Sequence, residues 1–288
     1  MEAVKKLGIV GAGTMGSGIA QLAAMNNIQV LLYDSQIGVV KNCMLKIRDR
    51  LVRAAERGQV GEDQINQAIG RIHESSLDDF AGVDVVIEAV VERMDVKKSV
   101  FGRLSETTRP GTMLASNTSS FSITELASVT AHPESVIGMH FFNPAPIMKL
   151  VEIVRGEDTA EGTVLHAREL AGLMHKDTIV VQKDTPGFVV NRVLMPLFIE
   201  AMRILEEGVA SRDDIDKAVK LGLNHPMGPL TLADFTGLDV DLEVMDYLYD
   251  EFHDGRFAAP QVLRRLVRAG HVGKKSGRGF YQYSRQER

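Results

Sequence analysis

The chain has 288 residues, a formal net charge of −5, and 44% apolar against 25% charged side chains. That length accommodates two domains, the balance is that of a soluble globular protein, and the acidic sign argues against a nucleic-acid binder, whose domains carry a basic footprint. One cysteine, Cys43, excludes an internal disulfide, and no zinc-type spacing, signal peptide or apolar stretch near the ~20 residues of a membrane span is visible, so a cytoplasmic protein without metal is expected.

The first predicted elements are an apolar strand, Leu7–Val10, the turn Gly11-Ala12-Gly13-Thr14-Met15-Gly16, a helix over Thr14–Asn26, a second strand, Ile28–Tyr33, and an acid, Asp34. In this order they make a dinucleotide-binding βαβ unit. Gly11 permits the tight turn, Gly13 lets the backbone approach a pyrophosphate, and Gly16 lets the helix pack close to the strand. The free amides at the helix start, from Thr14 and Met15 onward, favour negative charge. Asp34 falls where a carboxylate accepts ribose hydroxyls and repels a 2′-phosphate, and no Arg follows in Asp34-Ser35-Gln36-Ile37. NAD is therefore the expected cofactor, in preference to NADP.

Strands are then expected at Val83–Val91, Thr112–Ser116, Val136–His140, Lys149–Val154 and Thr178–Gln182, with helices at Gln36–Arg57, Asp95–Glu106 and Thr159–Leu173. The alternation predicts a Rossmann-type, doubly wound, mainly parallel sheet covered on both faces. The last strands carry no obvious crossover helix, which leaves antiparallel pairing open among them. The pattern changes at Lys183-Asp184-Thr185-Pro186-Gly187-Phe188, and from there the chain reads as helices: Phe188–Glu207, Arg212–Leu221 capped by Ser211, Pro229–Phe235, Asp239–Phe252 and Ala259–Ala269. Residues 1–185 are thus expected to form the α/β domain and 186–288 a smaller, all-helical one. Pro196 inside a helical pattern predicts a kink or local opening.

In open α/β sheets ligands bind beyond the C-terminal ends of the strands. Three segments there carry polar groups: Ser116-Asn117-Thr118-Ser119-Ser120, His140-Phe141-Phe142-Asn143-Pro144, and Glu152 within Leu150-Val151-Glu152-Ile153-Val154. An acid among four aliphatic residues needs a partner, and His140 is the nearest plausible one. A carboxylate on one ring nitrogen sets the tautomer of an imidazole and makes its other nitrogen more basic, the equipment of a general base. The plainer alternative is a hydrogen-bonded structural histidine. Lys46, Arg50, Arg53 and Arg57 recur at i, i+4, i+7 and i+11, a basic stripe along one helix face suited to phosphates, or else a solvent-facing stripe partly neutralised by Asp49.

The segments Asn117-Thr118-Ser119-Ser120, His140-Phe141-Phe142-Asn143-Pro144, Met148-Lys149-Leu150-Val151-Glu152 and Asp184-Thr185-Pro186-Gly187-Phe188-Val189-Val190-Asn191-Arg192 together resemble the short-chain L-3-hydroxyacyl-CoA dehydrogenases. Within that family the chain resembles the bacterial 3-hydroxybutyryl-CoA dehydrogenases in particular. The likeness continues through Pro226-Met227-Gly228-Pro229 to Gly273-Lys274-Lys275-Ser276-Gly277-Arg278-Gly279-Phe280-Tyr281, a segment without Walker spacing that reads as a terminal turn with an aromatic anchor.

The resemblance implies reversible, NAD-dependent oxidation of an (S)-3-hydroxyacyl-CoA to the 3-ketoacyl-CoA. It makes His140 the general base and Glu152 its orienting partner. Ser119 would bond the substrate oxygen, and Asn191 would hold the same region from the helical domain. It further implies cofactor contacts at Glu92, Lys97, Asn117, Ser119 and Asn143, although Glu92 and Lys97 also suit an ordinary solvated helix start. Arg50 and Arg57 become candidate contacts to the nucleotide of coenzyme A. The apolar positions Leu194, Leu197, Phe198, Ala201 and Leu205 exceed what a thin bundle buries alone, and relatives dimerise through this domain, so a homodimer is expected. Two rivals stand beside this reading: a dehydrogenase of a free hydroxy acid or sugar acid, and a dinucleotide-fold structural protein without turnover, for which the intact set Ser119, His140, Glu152 and Asn191 is unsuited.

Overall fold

A computed structural model describes residues 4–284. The chain divides between Phe188 and Val189 into two compact units. In chain order the first carries β1 (Lys6–Val10), α1 (Thr14–Met25), β2 (Gln29–Tyr33), α2 (Val39–Glu56), α3 (Glu62–Gly70), β3 (Ile72–Glu74), β4 (Val85–Glu88), α4 (Met94–Thr107), β5 (Met113–Ser116), α5 (Ile123–Ala127), β6 (Val136–Phe141), β7 (Leu150–Arg155), α6 (Glu161–Leu173) and β8 (Asp177–Val181). The second carries α7 (Val190–Glu206), α8 (Arg212–Gly222), α9 (Pro229–Thr236), α10 (Leu238–Phe252) and α11 (Gln261–Arg268). No helix among the described residues is long and apolar enough to cross a membrane.

The described strands form one sheet in the order β3-β2-β1-β4-β5-β6-β7-β8. Every pairing is parallel except β6 with β7, and β8 returns parallel to β7 through the crossover helix α6. Strand residues point alternately to the two faces. Leu7, Ile9, Val85, Ile87, Met139 and Phe141 pack toward α1, α2 and α6, whereas Val10, Val86, Leu114, Val136 and Val154 pack toward α4 and α5. The same alternation sends Glu88, Ser116, His140 and Glu152 to the second face. The strand order reverses between β1 and β4, the crevice where such sheets bind ligands.

Several expectations are corrected by local chemistry. The helix expected from Gln36 starts at Val39, because the Gln36 amide bonds the Asp34 carboxylate at 3.0 Å and Gly38 caps the helix in a left-handed conformation, φ 81°. The strand expected over Val83–Val91 ends at Glu88, whose side chain takes the Val90 amide at 2.7 Å. Phe188, expected in a helix, is left-handed with φ 48° and buried in the core of the first unit. The helix α7 runs unbroken through Pro196. Residues 62–74, for which the sequence pattern predicts nothing, form α3 and β3: Ile65 and Ala68 are buried, and β3 pairs with β2.

The helical unit has its own core, and Phe198 and Ala201 are buried within it. These two positions are therefore not surplus apolar surface, although Val193 (68% exposed) and Leu221 (76%) remain so. Buried acids tie its segments together. Asp216 accepts the amides of Leu230 and Thr231 at the start of α9, at 2.8 and 2.9 Å. Asp234 accepts those of Phe280 and Tyr281 from the terminal turn, at 2.9 and 2.8 Å. Among the described residues the Asp241 carboxyl meets only the Thr236 hydroxyl, at 2.8 Å, and burial pushes it up to about 8. In that neutral form it can donate to Thr236, whose own proton serves the Ala233 carbonyl at 3.0 Å.

Candidate active site

The glycine turn closes on itself through the backbone. Gly11 has φ 101° and donates to the Tyr33 carbonyl at 2.8 Å, and a Cβ at Gly16 would sit 1.8 Å from the Gly11 oxygen. A Cβ at Gly13, by contrast, would meet nothing within 4 Å. Asp34 joins the turn by accepting the Ala12 amide at 2.8 Å. A groove of about 770 Å³ opens here, lined by Gly11, Gly13, Asp34, Gln36, Val90 and Arg103 among others. The first-turn amides of α1, from Thr14 through Met15 to Gly16, have no intrahelical acceptors. Thr14 is exposed, and Met15 is half-buried against the core.

Past the ends of β4 and β5 lies a charged cluster. Lys97 is 1% exposed, with its ammonium 2.8 Å from Glu88 and 3.0 Å from Glu92. Burial alone would lower the Lys97 pKa, but the two carboxylates outweigh it and the net shift is upward. The solvated helix start is thus corrected for Lys97, which is an internal cation. Glu92 also accepts the Thr118 hydroxyl and, at 3.1 Å, the Ser119 amide. Asn117 bridges to the next strand, its side-chain oxygen accepting the Phe141 amide at 3.0 Å. The Ser119 hydroxyl has no partner among the described residues. Glu88 and Ser116, joined at 2.7 Å, belong to this cluster although neither was singled out from sequence. A signal was available: Glu88 interrupts an apolar run, Val85 to Val91, as Glu152 interrupts another.

His140 and Glu152 are register partners across the antiparallel β6–β7 pair. Imidazole Nδ1 lies 2.7 Å from Glu152 Oε2, and Glu152 is wholly buried. An ionised Glu152 accepts here, and with that assignment Nδ1 carries the hydrogen and the lone pair is on Nε2. The rings of Phe142 and Phe188 stand 4.5 and 5.8 Å from the imidazole, restricting water on that side. A protonatable nitrogen oriented by a buried carboxylate can exchange a proton with a substrate hydroxyl.

A second cavity, about 650 Å³, lies between α1, α2 and the loop after β6, lined by Arg50, Arg53, Arg57, Thr14, Asn143 and Ile147 among others. Arg50 reaches α1, donating to the Ser17 hydroxyl at 2.6 Å and to Gln21 at 2.7 Å. Asn143 lines this cavity, not the groove beside Asp34. Among the described residues Asp49 makes no ion pair with Arg53, so the stripe is less neutralised than expected. Cys43 packs beneath it, buried, with its thiol pushed up by burial. Asn191 lies in the first turn of α7 in the helical unit and is half-buried.

Residues 6–185 match the family model of the 3-hydroxyacyl-CoA dehydrogenase NAD-binding domain, and residues 187–283 match that of the 3-hydroxyacyl-CoA dehydrogenase C-terminal domain. The chain belongs to the 3-hydroxyacyl-CoA dehydrogenase family. It is 47% identical over 281 residues to a probable 3-hydroxybutyryl-CoA dehydrogenase of Bacillus subtilis, covering 97% of this chain and 98% of that one. Identity to the 3-hydroxybutyryl-CoA dehydrogenase of Clostridioides difficile is 43%, covering 97% and 100%. The crystal structure of (S)-3-hydroxybutyryl-CoA dehydrogenase from Ralstonia eutropha superposes with a TM-score of 0.93 at 43% identity, covering 98% of this chain and 100% of that one. As in other 3-hydroxyacyl-CoA dehydrogenases the cofactor is NAD, and the groove fits it. The open space above Gly13 admits a pyrophosphate, and Asp34 at the end of β2 presents the acid a ribose requires.

Proposed function

We propose that this chain catalyses the reversible oxidation of short-chain (S)-3-hydroxyacyl-CoA, such as 3-hydroxybutyryl-CoA, to the 3-ketoacyl-CoA. The buried His140–Glu152 pair, Nδ1 to Oε2 at 2.7 Å, carries this reading. His140 Nε2 takes the proton of the 3-hydroxyl as the carbon gives up its hydride, and returns it in the reducing direction. Glu152 holds the tautomer and compensates the imidazolium. Ser119 steadies the substrate oxygen through its hydroxyl, and Asn191 acts from the helical unit. Bound NAD supplies the hydride acceptor. Gly11, Gly13, Thr14, Met15 and Gly16 cradle its pyrophosphate, and Asp34 takes the adenosine ribose. Glu92, Lys97, Asn117 and Asn143 serve the nicotinamide half. A positioned base of this kind contributes about 10²- to 10⁴-fold in rate.

Arg50, Arg57 and the cavity they line are the proposed site of the coenzyme A nucleotide. A homodimer through the helical unit belongs to the same reading, supported by the exposed Val193 and Leu221, as does a reducing, cytoplasmic compartment, supported by the single buried Cys43. The deciding experiment is NADH oxidation with acetoacetyl-CoA beside free acetoacetate, repeated with NADPH. Turnover of the thioester alone, with NADH, is expected; turnover of the free acid shifts the reading to a hydroxy-acid dehydrogenase.

A further inference from the structure

Glu88 is fully buried at the end of β4, and both of its carboxylate oxygens are engaged. Oε2 accepts the Ser116 hydroxyl at 2.7 Å, and the Ser116 oxygen in turn receives the Thr118 amide at 3.2 Å. Oε1 accepts the Lys97 ammonium at 2.8 Å; Lys97 bridges at 3.0 Å to Glu92, which holds the Ser119 amide at 3.1 Å. The Glu88 backbone carbonyl takes the Asn117 amide at 2.8 Å. One residue therefore grips the 116–119 turn at its beginning, at its middle and, through two further side chains, at Ser119.

We propose that Glu88 is a positioning residue for this turn, setting where Ser119 and Lys97 meet substrate and cofactor. The inference rests on the dehydrogenase reading above. A buried acid could equally be an internal counter-ion for Lys97 and no more. The two roles separate because one depends on charge alone and the other also on reach. Removing the charge leaves Lys97 buried with Glu92 as its remaining carboxylate, in a site where burial works against the protonated form. Shortening the side chain keeps the charge but withdraws it from either Ser116 or Lys97.

The test compares Glu88→Gln and Glu88→Asp with the parent, by NADH fluorescence titration across about pH 7 to 10 and by steady-state kinetics with acetoacetyl-CoA. For Glu88→Gln, NADH affinity that weakens with rising pH is expected, as Lys97 loses its proton, where the parent stays flat. For Glu88→Asp, flat NADH affinity is expected together with a kcat lowered by roughly 10²-fold, the scale of misplacing a reacting group by about 1 Å. The Km for acetoacetyl-CoA should stay near the parent's in both. A Glu88→Asp variant with parental kcat overturns the proposal and leaves the counter-ion role, and it does so even where Glu88→Gln fails to fold. A parent that binds NADH yet leaves acetoacetyl-CoA untouched defeats the dehydrogenase reading instead. The pH dependence of NADH binding then still reports on the link from Glu88 to Lys97: an affinity of Glu88→Gln as flat as the parent's overturns the proposal.

Discussion

His140 and Glu152 lie directly opposite each other in the one antiparallel strand pairing among the described residues of the sheet, with Nδ1 2.7 Å from Oε2. In the proposed mechanism the acid acts through the imidazole, and on that reading the two should fail as a unit. His140→Gln and Glu152→Gln are each expected to cut kcat by about 10²- to 10⁴-fold, with the double variant little worse than either single. Fully additive losses in steady-state kinetics would show independent roles.

The glycines of the first turn should separate binding from folding. Gly13→Ala adds a methyl to open space, so its thermal midpoint should match the parent while NADH affinity falls. Gly16→Ala places a Cβ 1.8 Å from the Gly11 oxygen and should lower the midpoint itself. Thermal melts beside NADH titrations decide this, and equal losses of stability at the two sites would contradict it.

Arg50 is already engaged by Ser17 and Gln21, whereas no hydrogen bond or ion pair restrains the Arg57 side chain among the described residues. Arg57→Ala should therefore raise the Km for acetoacetyl-CoA more than Arg50→Ala, by roughly tenfold, the scale of one charge-assisted hydrogen bond. An unchanged Km in the double variant would remove the second cavity from the argument.

Asp241 gives the helical unit a pH dependence of definite sign. Its folded pKa, about 8, lies above the unfolded carboxylate value of 3.8, so the folded chain holds a proton that the unfolded chain has released. Stability is therefore lost as pH rises between those values. Asp241→Asn, which keeps a donor for Thr236, should flatten that part of the profile. Thermal midpoints at about pH 5, 7 and 9, two points inside that window and one above it, supply the measurement; parallel profiles for parent and variant would place the dependence elsewhere.

The exposed apolar side chains of the helical unit have a direct check. Val193 and Leu221 are expected to lie at the interface of a homodimer, read by light scattering at micromolar concentration, and a monomeric mass there would contradict it.

Much of the fold was legible because it rests on local signals. The glycine turn with Asp34, the apolar runs and the Ser211 cap each state their own structure within a few residues. The pairing of His140 with Glu152 was inferable because a buried acid needs a partner and few candidates were near. Residues 62–74 were not legible: α3 is short, and β3 is a three-residue edge strand whose only reason to extend is the neighbouring β2. Glu88 carries the same signal as Glu152, an acid within an apolar run, but its partners Ser116 and Lys97 come from a different strand and a helix and are visible only in the structure.

The alternation of strands and helices outside residues 62–74, the dinucleotide turn and the need of buried Glu152 for a partner such as His140 follow from the chain itself, since periodicity, turn chemistry and the cost of burying charge are properties of short segments. The reversal between β6 and β7, the burial of Lys97 between two acids, the binding of Arg50 to α1 and the neutral form of Asp241 were decided only by tertiary structure. Each depends on which distant groups share a dry environment, and desolvation and pairing are set by neighbours in space.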